Sequence, residues 1–233
     1  MALLAGKPLL EHLLERVLSV RELSGVVLAT STAQENEILI ELAERLGVGV
    51  FAGDEDDVLG RYVQVARRWE ADHVVRITGD NPLTDLSLIR SLTALHLRES
   101  ADYTYVPGGA LLMGILSEVI SRRALETSHR EGGDRHRSEL VTLYIKENPS
   151  RFHVVRAAMP SSLYRPSYRL TVDEPEDLAL MEKIFDRRYR PGEVLETEEV
   201  IRMLDSEPEL AAENAHLRHK EANLRSVDLD NRR

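Results

Sequence analysis

Apolar residues in the first eighty positions switch repeatedly between a helical and an extended period, and that alternation leaves few architectures open. Leu9, Leu10, Leu13, Leu14, Val17 and Leu18 recur at helical spacing, and "GVVLATS" follows as a buried strand with a polar exit. Ile38, Leu39, Leu42, Ala43 and Leu46 mark a second helix, which stops at Gly47 before the strand "VGVF". Val58, Leu59, Tyr62, Val63, Ala66 and Trp69 mark a third helix, leading into "HVVRI". Strands alternating with single helices imply right-handed βαβ crossovers. The expected class is α/β, a three-layer Rossmann-like fold with a mixed, mostly parallel sheet.

After residue 100 the rhythm loosens. "ADYTYV", "FHVVRA" and "YRLTV" read as strands, "PGGALLMGI" as a loop and "RSELVTLYIKEN" as a helix. "EPEDLALMEKIF" is a helix with proline in its first turn, where the missing N–H is harmless. Residues 1–205 are read as one α/β domain and 206–233 as a polar C-terminal helix and tail. In a doubly wound sheet the first strand lies near the middle and the loop after it holds phosphates. This chain opens with a helical pattern and no glycine-rich loop. The expected sheet therefore lacks its first strand, which would leave two neighbouring strands with unpaired backbone groups.

The chain has 233 residues, 42% hydrophobic and 30% charged, enough for a substantial core. No apolar run reaches the roughly 18 residues of a membrane span. The absence of cysteine excludes disulfides, thiolate metal sites and cysteine nucleophiles, and fits a cytoplasmic protein. A net charge of −10 argues against nucleic acid as a partner. Small anionic substrates remain open where arginines or a metal offset the repulsion.

Two acids stand out. Asp80 in "RITGDNP" and Asp173 in "RLTVDEPEDL" both follow extended runs, both occur as Asp-x-Pro, and both precede helices. Ligands of open α/β sheets bind beyond the carboxyl ends of the strands. Two carboxylates converging there would suit magnesium, which takes one or two carboxylates, several waters and substrate phosphates. The competing explanation is helix capping, favoured for any acid at a helix start. Pattern alone leaves the two level.

At these two motifs the sequence resembles the spore-coat polysaccharide biosynthesis protein F family, within the cytidylyltransferases that activate acidic sugars such as acylneuraminate and ketodeoxyoctulosonate. "LAGKPLLEHLLERV", "VVLATST", "GDEDDVLGRY", "GILSEVISRRAL", "SELVTLYIKENP" and "PELAAENAHL" match in the family's order, from Leu4 to about residue 217. The resemblance implies a nucleotide-diphospho-sugar transferase-like fold. It also implies a reaction in which a sugar oxygen attacks the α-phosphate of CTP, giving a CMP-sugar and pyrophosphate. It makes Asp80 and Asp173 ligands of Mg2+, and CTP and a sugar the partners. It puts Arg76, Gly79 and Asn81 beside nucleotide or sugar, with Asp57 and Arg61 at the entry of the third helix and Glu118 and Glu139 near the sugar. For Asp57 and Arg61, helix-start charge complementarity competes with binding; for Glu118 and Glu139, a solvent-facing acid does; Lys7 reads as a loop cap. Related enzymes are commonly dimers, so a homodimer is the corresponding expectation.

The sequence departs from the family in three places. The opening strand and triphosphate-gripping loop are absent, Ser138, Glu139 and Leu140 stand where members often have Arg-Glu-His, and Leu116 replaces a frequent Asp. Met1 aligns inside a family segment, so it reads as an internal methionine with about twenty residues upstream, and residues 1–233 alone are expected to bind CTP poorly. Two other functions stay open. One is a nucleotide-sugar glycosyltransferase using Asp54 and Asp56 of "GDEDD"; the other is a non-catalytic homologue that binds a sugar or a partner.

Overall fold

A short hairpin, β1 (Leu3–Leu4) and β2 (Lys7–Pro8), precedes α1 (Leu9–Leu18), so the helix expected at the start is preceded by two extended pairs. The computed structural model describes residues 1–107 and 112–217. The elements then run β3 (Val27–Ser31), α2 (Glu37–Arg45), β4 (Gly49–Gly53), α3 (Val58–Arg68), β5 (His73–Arg76) and α4 (Leu86–Glu99). β6 (Tyr103–Tyr105), β7 (Glu118–Ser121), α5 (Arg122–Glu131), α6 (Leu143–Glu147) and β8 (Val154–Arg156) follow. α7 (Pro175–Arg188), α8 (Thr197–Ser206) and α9 (Pro208–Ala212) complete the described chain.

The strands form separate sheets. β3 pairs in parallel with β4, while β5, β7, β6 and β8 form a four-stranded mixed sheet in that order. β7 is antiparallel to both β5 and β6, and β6 is parallel to β8. Among the described residues β3 pairs only with β4 and β5 only with β7, so the sheet is divided between β3 and β5. This is where a doubly wound sheet without its first strand divides.

Side chains alternate across the four-stranded sheet as the two-residue period of a strand requires. Ile120 packs with Tyr103, Leu59, Val63 and Leu125, beneath α3 and α5. Val119 faces the opposite way, toward Leu88, Leu92, Leu180 and Ile184 of α4 and α7. Ile77, just past β5, packs against the clusters built on α1 and on α4 and so links the packing of the two sheets. Leu204, Leu210 and Ala211 join the cluster of Val119, the last two from within the 206–233 segment read as a polar helix and tail. The remainder of that tail, 218–233, and part of the "PGGALLMGI" loop, 108–111, lie outside the described residues.

Three expectations need correction. "YRLTV" is no ladder strand: only Arg169 bridges, to Met113, with Leu170 N–H donating to the Met113 carbonyl at 2.8 Å. The segment is divided between two neighbours, because Val172 N–H turns instead to the Asp80 carbonyl at 2.9 Å. The helix expected over "RSELVTLYIKEN" shrinks to Leu143–Glu147. Its beginning is drawn away by the N–H of Leu59, one of the donors that the first turn of α3 leaves unsatisfied, which bonds the Arg137 carbonyl at 3.1 Å. β7 is a strand that the pattern does not predict: Glu118–Ser121 is four residues long, and its two apolar residues are adjacent rather than alternating.

Gly114 presses against the 168–173 segment. It has φ +90°, and a Cβ there would sit 2.2 Å from the backbone of Leu170 and Thr171. Neither the conformation nor the space suits a side chain. Gly114→Ala should therefore lower unfolding free energy by about 3 kcal/mol or more, measured by urea denaturation; a loss under about 1 kcal/mol would contradict this packing.

His96 of α4 is fully buried, with Nδ1 2.9 Å from Thr104 Oγ1 and Nε2 3.0 Å from His73 Nδ1. Burial, then the neighbouring His73, lowers its pKa from 6.5 to about 4. Between those values the unfolded chain binds a proton that the folded one does not, so stability is full above pH 6.5 and falls toward pH 4. Removing this group by His96→Gln should flatten the stability slope there by up to about 1.4 kcal/mol per pH unit. Identical slopes for parent and variant in urea titrations would contradict a neutral His96.

Candidate active site

The two acids of the Asp-x-Pro motifs meet. Asp80 lies in the loop between β5 and α4, and Asp173 directly precedes α7. The Val172–Asp80 backbone bond sets the two loops side by side, and the Asp173 side chain comes within hydrogen-bonding reach of Asp80. Burial, and then the charge of Asp173, push the Asp80 carboxyl above its usual range, with Thr78 pulling partly the other way. Asp80 Oδ1 is buried and has no hydrogen-bond partner. A carboxylate left in that condition is costly unless a proton or a cation joins it.

Helix capping does not explain either acid. Asp85 caps α4, accepting from Leu88 N–H at 2.8 Å. At α7 the cap position is Glu174, and the side chain that accepts from the first backbone N–H groups is Asp177, not Asp173. Asp173 is 38% exposed at its side chain, and its Oδ2 receives Arg169 Nη2 at 2.7 Å and Thr171 Oγ1 at 3.3 Å.

A buried network supports Asp173 from below. Arg169, 2% exposed, grips Asp177 with Nε and Nη2, both at 2.8 Å. Asp177 Oδ2 also accepts from the N–H groups of Asp173 and Glu174 at 3.1 Å, and Oδ1 accepts from Asn214 Nδ2 at 2.8 Å. Burial would raise the Asp177 pKa, but these donors, Arg169 first, hold it below the usual carboxylate range. Asn214 further donates to the Arg169 carbonyl at 3.0 Å, coupling the 207–217 segment to the site. Sequence reasoning missed Arg169, Asp177 and Asn214; the available signal was the acid at the third helical position of "EPED".

On the Asp80 side, the loop is braced by Arg16 of α1. Its Nε donates to the Thr84 carbonyl at 2.6 Å and its Nη2 to Thr197 Oγ1 at 2.8 Å, while Thr197 donates to the Leu83 carbonyl at 3.2 Å. Asn81 Nδ2 donates to Thr78 Oγ1 at 2.5 Å, and its Oδ1 is buried without a partner. Gly79 is exposed, and a Cβ there would meet the tip of Leu10 at an ordinary 3.9 Å.

A second cluster gathers at the edge shared by β5 and β7. Arg76 and Glu118 are direct cross-strand partners and pair at 3.2 Å. Glu118 is partly buried, not solvent-facing, and also accepts from the Tyr103 hydroxyl, with Lys146 Nζ 3.6 Å away. Burial would raise its pKa, yet Lys146 and then Arg76 hold it lowered, so it stays ionised. Arg76 Nη2 reaches the Glu139 carbonyl at 3.2 Å, while the Glu139 residue is exposed. Tyr62 lies within the fields of Arg76, Glu118 and Arg61. The Nε atoms of Arg61 and Arg76 are buried without partners. Lys146 and Tyr103 carry no sequence signal of their own; Tyr103 joins from β6, which pairs with β7, and Lys146 from α6.

The other candidates are placed apart from each other. Asp57 caps α3 through Gly60 N–H at 2.7 Å and meets His129 Nε2 at 2.7 Å. Arg61 does not pair with it but donates to the Asp54 and Glu55 carbonyls, at 2.6 and 2.9 Å. Asp54 Oδ1 accepts the N–H of Asp56 at 2.8 Å, as a turn residue does. Lys7 pairs with Glu15 at 2.6 Å.

Hard oxygen donors, an orphaned buried carboxylate oxygen on Asp80 and a second acid whose charge acts on Asp80 fit a divalent cation such as magnesium. Among the described residues no helix is long and apolar enough to cross a membrane.

The family model described as "Cytidylyltransferase" matches residues 1–215. An uncharacterized protein of Methanocaldococcus jannaschii is 34% identical over 93% of this chain and 88% of its own length. The spore coat polysaccharide biosynthesis protein SpsF of Bacillus subtilis is 31% identical over 83% of this chain and 80% of its own. Among solved structures, a cytidylyltransferase from Leptospira borgpetersenii superposes with a TM-score of 0.82 at 22% identity, covering 90% of this chain and 87% of that one. A CMP:2-keto-3-deoxy-manno-octonic acid synthetase gives 0.58 at 16% identity over 79% and 90%. These last two show the fold, that of nucleotide-diphospho-sugar transferases. The chain belongs to the cytidylyltransferase family and is a nucleotidyltransferase.

Proposed function

We propose that the protein transfers CMP from CTP to an oxygen of an acidic or modified sugar, in the making of a cell-surface polysaccharide, with Asp80 and Asp173 holding Mg2+. The observation that carries this reading is the contact between the two acids, with Asp80 Oδ1 buried and unpartnered. The sugar oxygen attacks the α-phosphorus of CTP; a new P–O bond forms as the bond to pyrophosphate breaks, and pyrophosphate leaves. A bound Mg2+ supplies neutralisation of charge on the phosphates. Asp80 and Asp173 would hold it, with Asp80 offering the buried, unpartnered Oδ1 and Asp173 the more exposed carboxylate.

Arg76 and Lys146, with Arg61 near Tyr62, form the basic side of the second cluster, suited to a carboxylate or hydroxyls of the sugar. Glu118 is already engaged by Tyr103, Arg76 and Lys146, so its role is to hold these cations in place. The use of Asp54 and Asp56 as a glycosyltransferase metal pair is disfavoured by the turn bond that occupies Asp54 Oδ1.

Incubation of a full-length form with CTP, Mg2+ and a panel of acidic sugars should release pyrophosphate, and Asp80→Ala in that form should reduce kcat/KM by about a thousandfold or more. No release from any sugar, with Asp80→Ala indistinguishable from the parent, would contradict the proposal. Glu118→Gln should raise KM for the sugar by about tenfold while leaving KM for CTP within about twofold; equal effects on both would remove Glu118 from the sugar side.

A further inference from the structure

We infer that Arg169 is a positioning residue that sets which divalent ion the paired acids accept. This rests on the proposed metal reading of Asp80 and Asp173. Arg169 Nη2 lies 2.7 Å from Asp173 Oδ2, and the same guanidinium is locked by two further bonds to Asp177, itself held by Asn214 and two backbone N–H groups. Arg169 is 2% exposed and Asp177 1%, so neither side chain can swing into solvent. Thr171 Oγ1 reaches the same Oδ2 at 3.3 Å. With Oδ2 engaged in this way, Asp173 has Oδ1 alone to give to an ion.

Monodentate carboxylates suit Mg2+, which is small, octahedral and keeps several waters. Ca2+ is larger, takes six to eight oxygens and readily uses both oxygens of one carboxylate. Bidentate binding by Asp173 would need Oδ2 and would press the dication against the guanidinium at short range. The arginine thus acts against the larger ion by geometry and by charge, without touching the ion itself. Selectivity is set from beneath the site, by residues spread from Arg169 to Asn214.

The test is direct ion binding, without turnover. Free Mn2+ is followed by its paramagnetic resonance signal in the presence of the purified protein, and Mg2+ or Ca2+ is added to displace it. Asp80→Asn serves as the control that assigns the displaced Mn2+ to this site. Arg169→Met alone leaves Asp177 buried with a lone charge and is a folding risk, so the informative variants are Arg169→Lys and the charge-neutral pair Arg169→Met with Asp177→Asn. Thermal unfolding confirms that each is folded.

The parent should release Mn2+ to Mg2+ at lower concentration than to Ca2+, and either folded variant should shift that ratio toward Ca2+ by about fivefold or more. A merely structural role would weaken both ions alike and leave the ratio unchanged, which overturns the inference while leaving the metal reading intact. Mn2+ binding that persists in Asp80→Asn, or no binding by the parent, overturns both.

Discussion

One backbone hydrogen bond, from Val172 N–H to the Asp80 carbonyl, joins two loops that are ninety residues apart in sequence. Everything proposed for the site depends on it. Without that bond the Asp80 loop would follow β5 and the Asp173 loop would follow α7, and no local rule would bring their side chains together. The bond forms because the 168–173 segment is extended yet is not consumed by a sheet: Met113 takes one side of it, and the Asp80 loop the other. Gly114 makes room for that close approach. Packing against Gly114 and support from Asp177 then leave Asp173 little choice of direction.

Electrostatics follow from this geometry. Two carboxylates in contact repel each other, and the fold answers with an uneven environment. Asp173 is partly exposed and rests on the Arg169 guanidinium, while Asp80 is half-buried, with one buried oxygen that has no hydrogen-bond partner. The pair is therefore tuned toward taking up positive charge. By contrast, the acid at Glu118 is saturated by Arg76, Lys146 and Tyr103, so the same residue type serves as a scaffold there. Which acids a fold leaves unsatisfied says more about chemistry than which acids it contains.

Much of the fold was legible because helical and extended periods are strong and local: the helices α1 to α4 and the strands β3 to β5 fall within a few residues of their patterns. What the periods could not reveal was tertiary. β7 is short and pairs antiparallel between two strands, and the helix expected from Arg137 begins only at Leu143, with the Arg137 carbonyl taken by the Leu59 N–H. The division between β3 and β5 was foreseeable, since a doubly wound sheet needs a central strand that this sequence does not present. At the site, the Asp-x-Pro repeats pointed to Asp80 and Asp173, and their meeting required coordinates. Arg169, Asp177 and Asn214 stayed hidden because a buried ion pair has no periodic signature. Asn214 lies in a segment whose composition reads as a tail, yet it is fully buried against Asp177.

The central claim is that Asp80 and Asp173 hold one divalent ion between them. Crystals soaked in Mn2+ and CTP, measured at the manganese absorption edge, test it most directly. The account predicts an anomalous peak within coordinating distance, about 2.2 Å, of a carboxylate oxygen from each residue. A peak at Asp54 and Asp56, or none near Asp80, would contradict it.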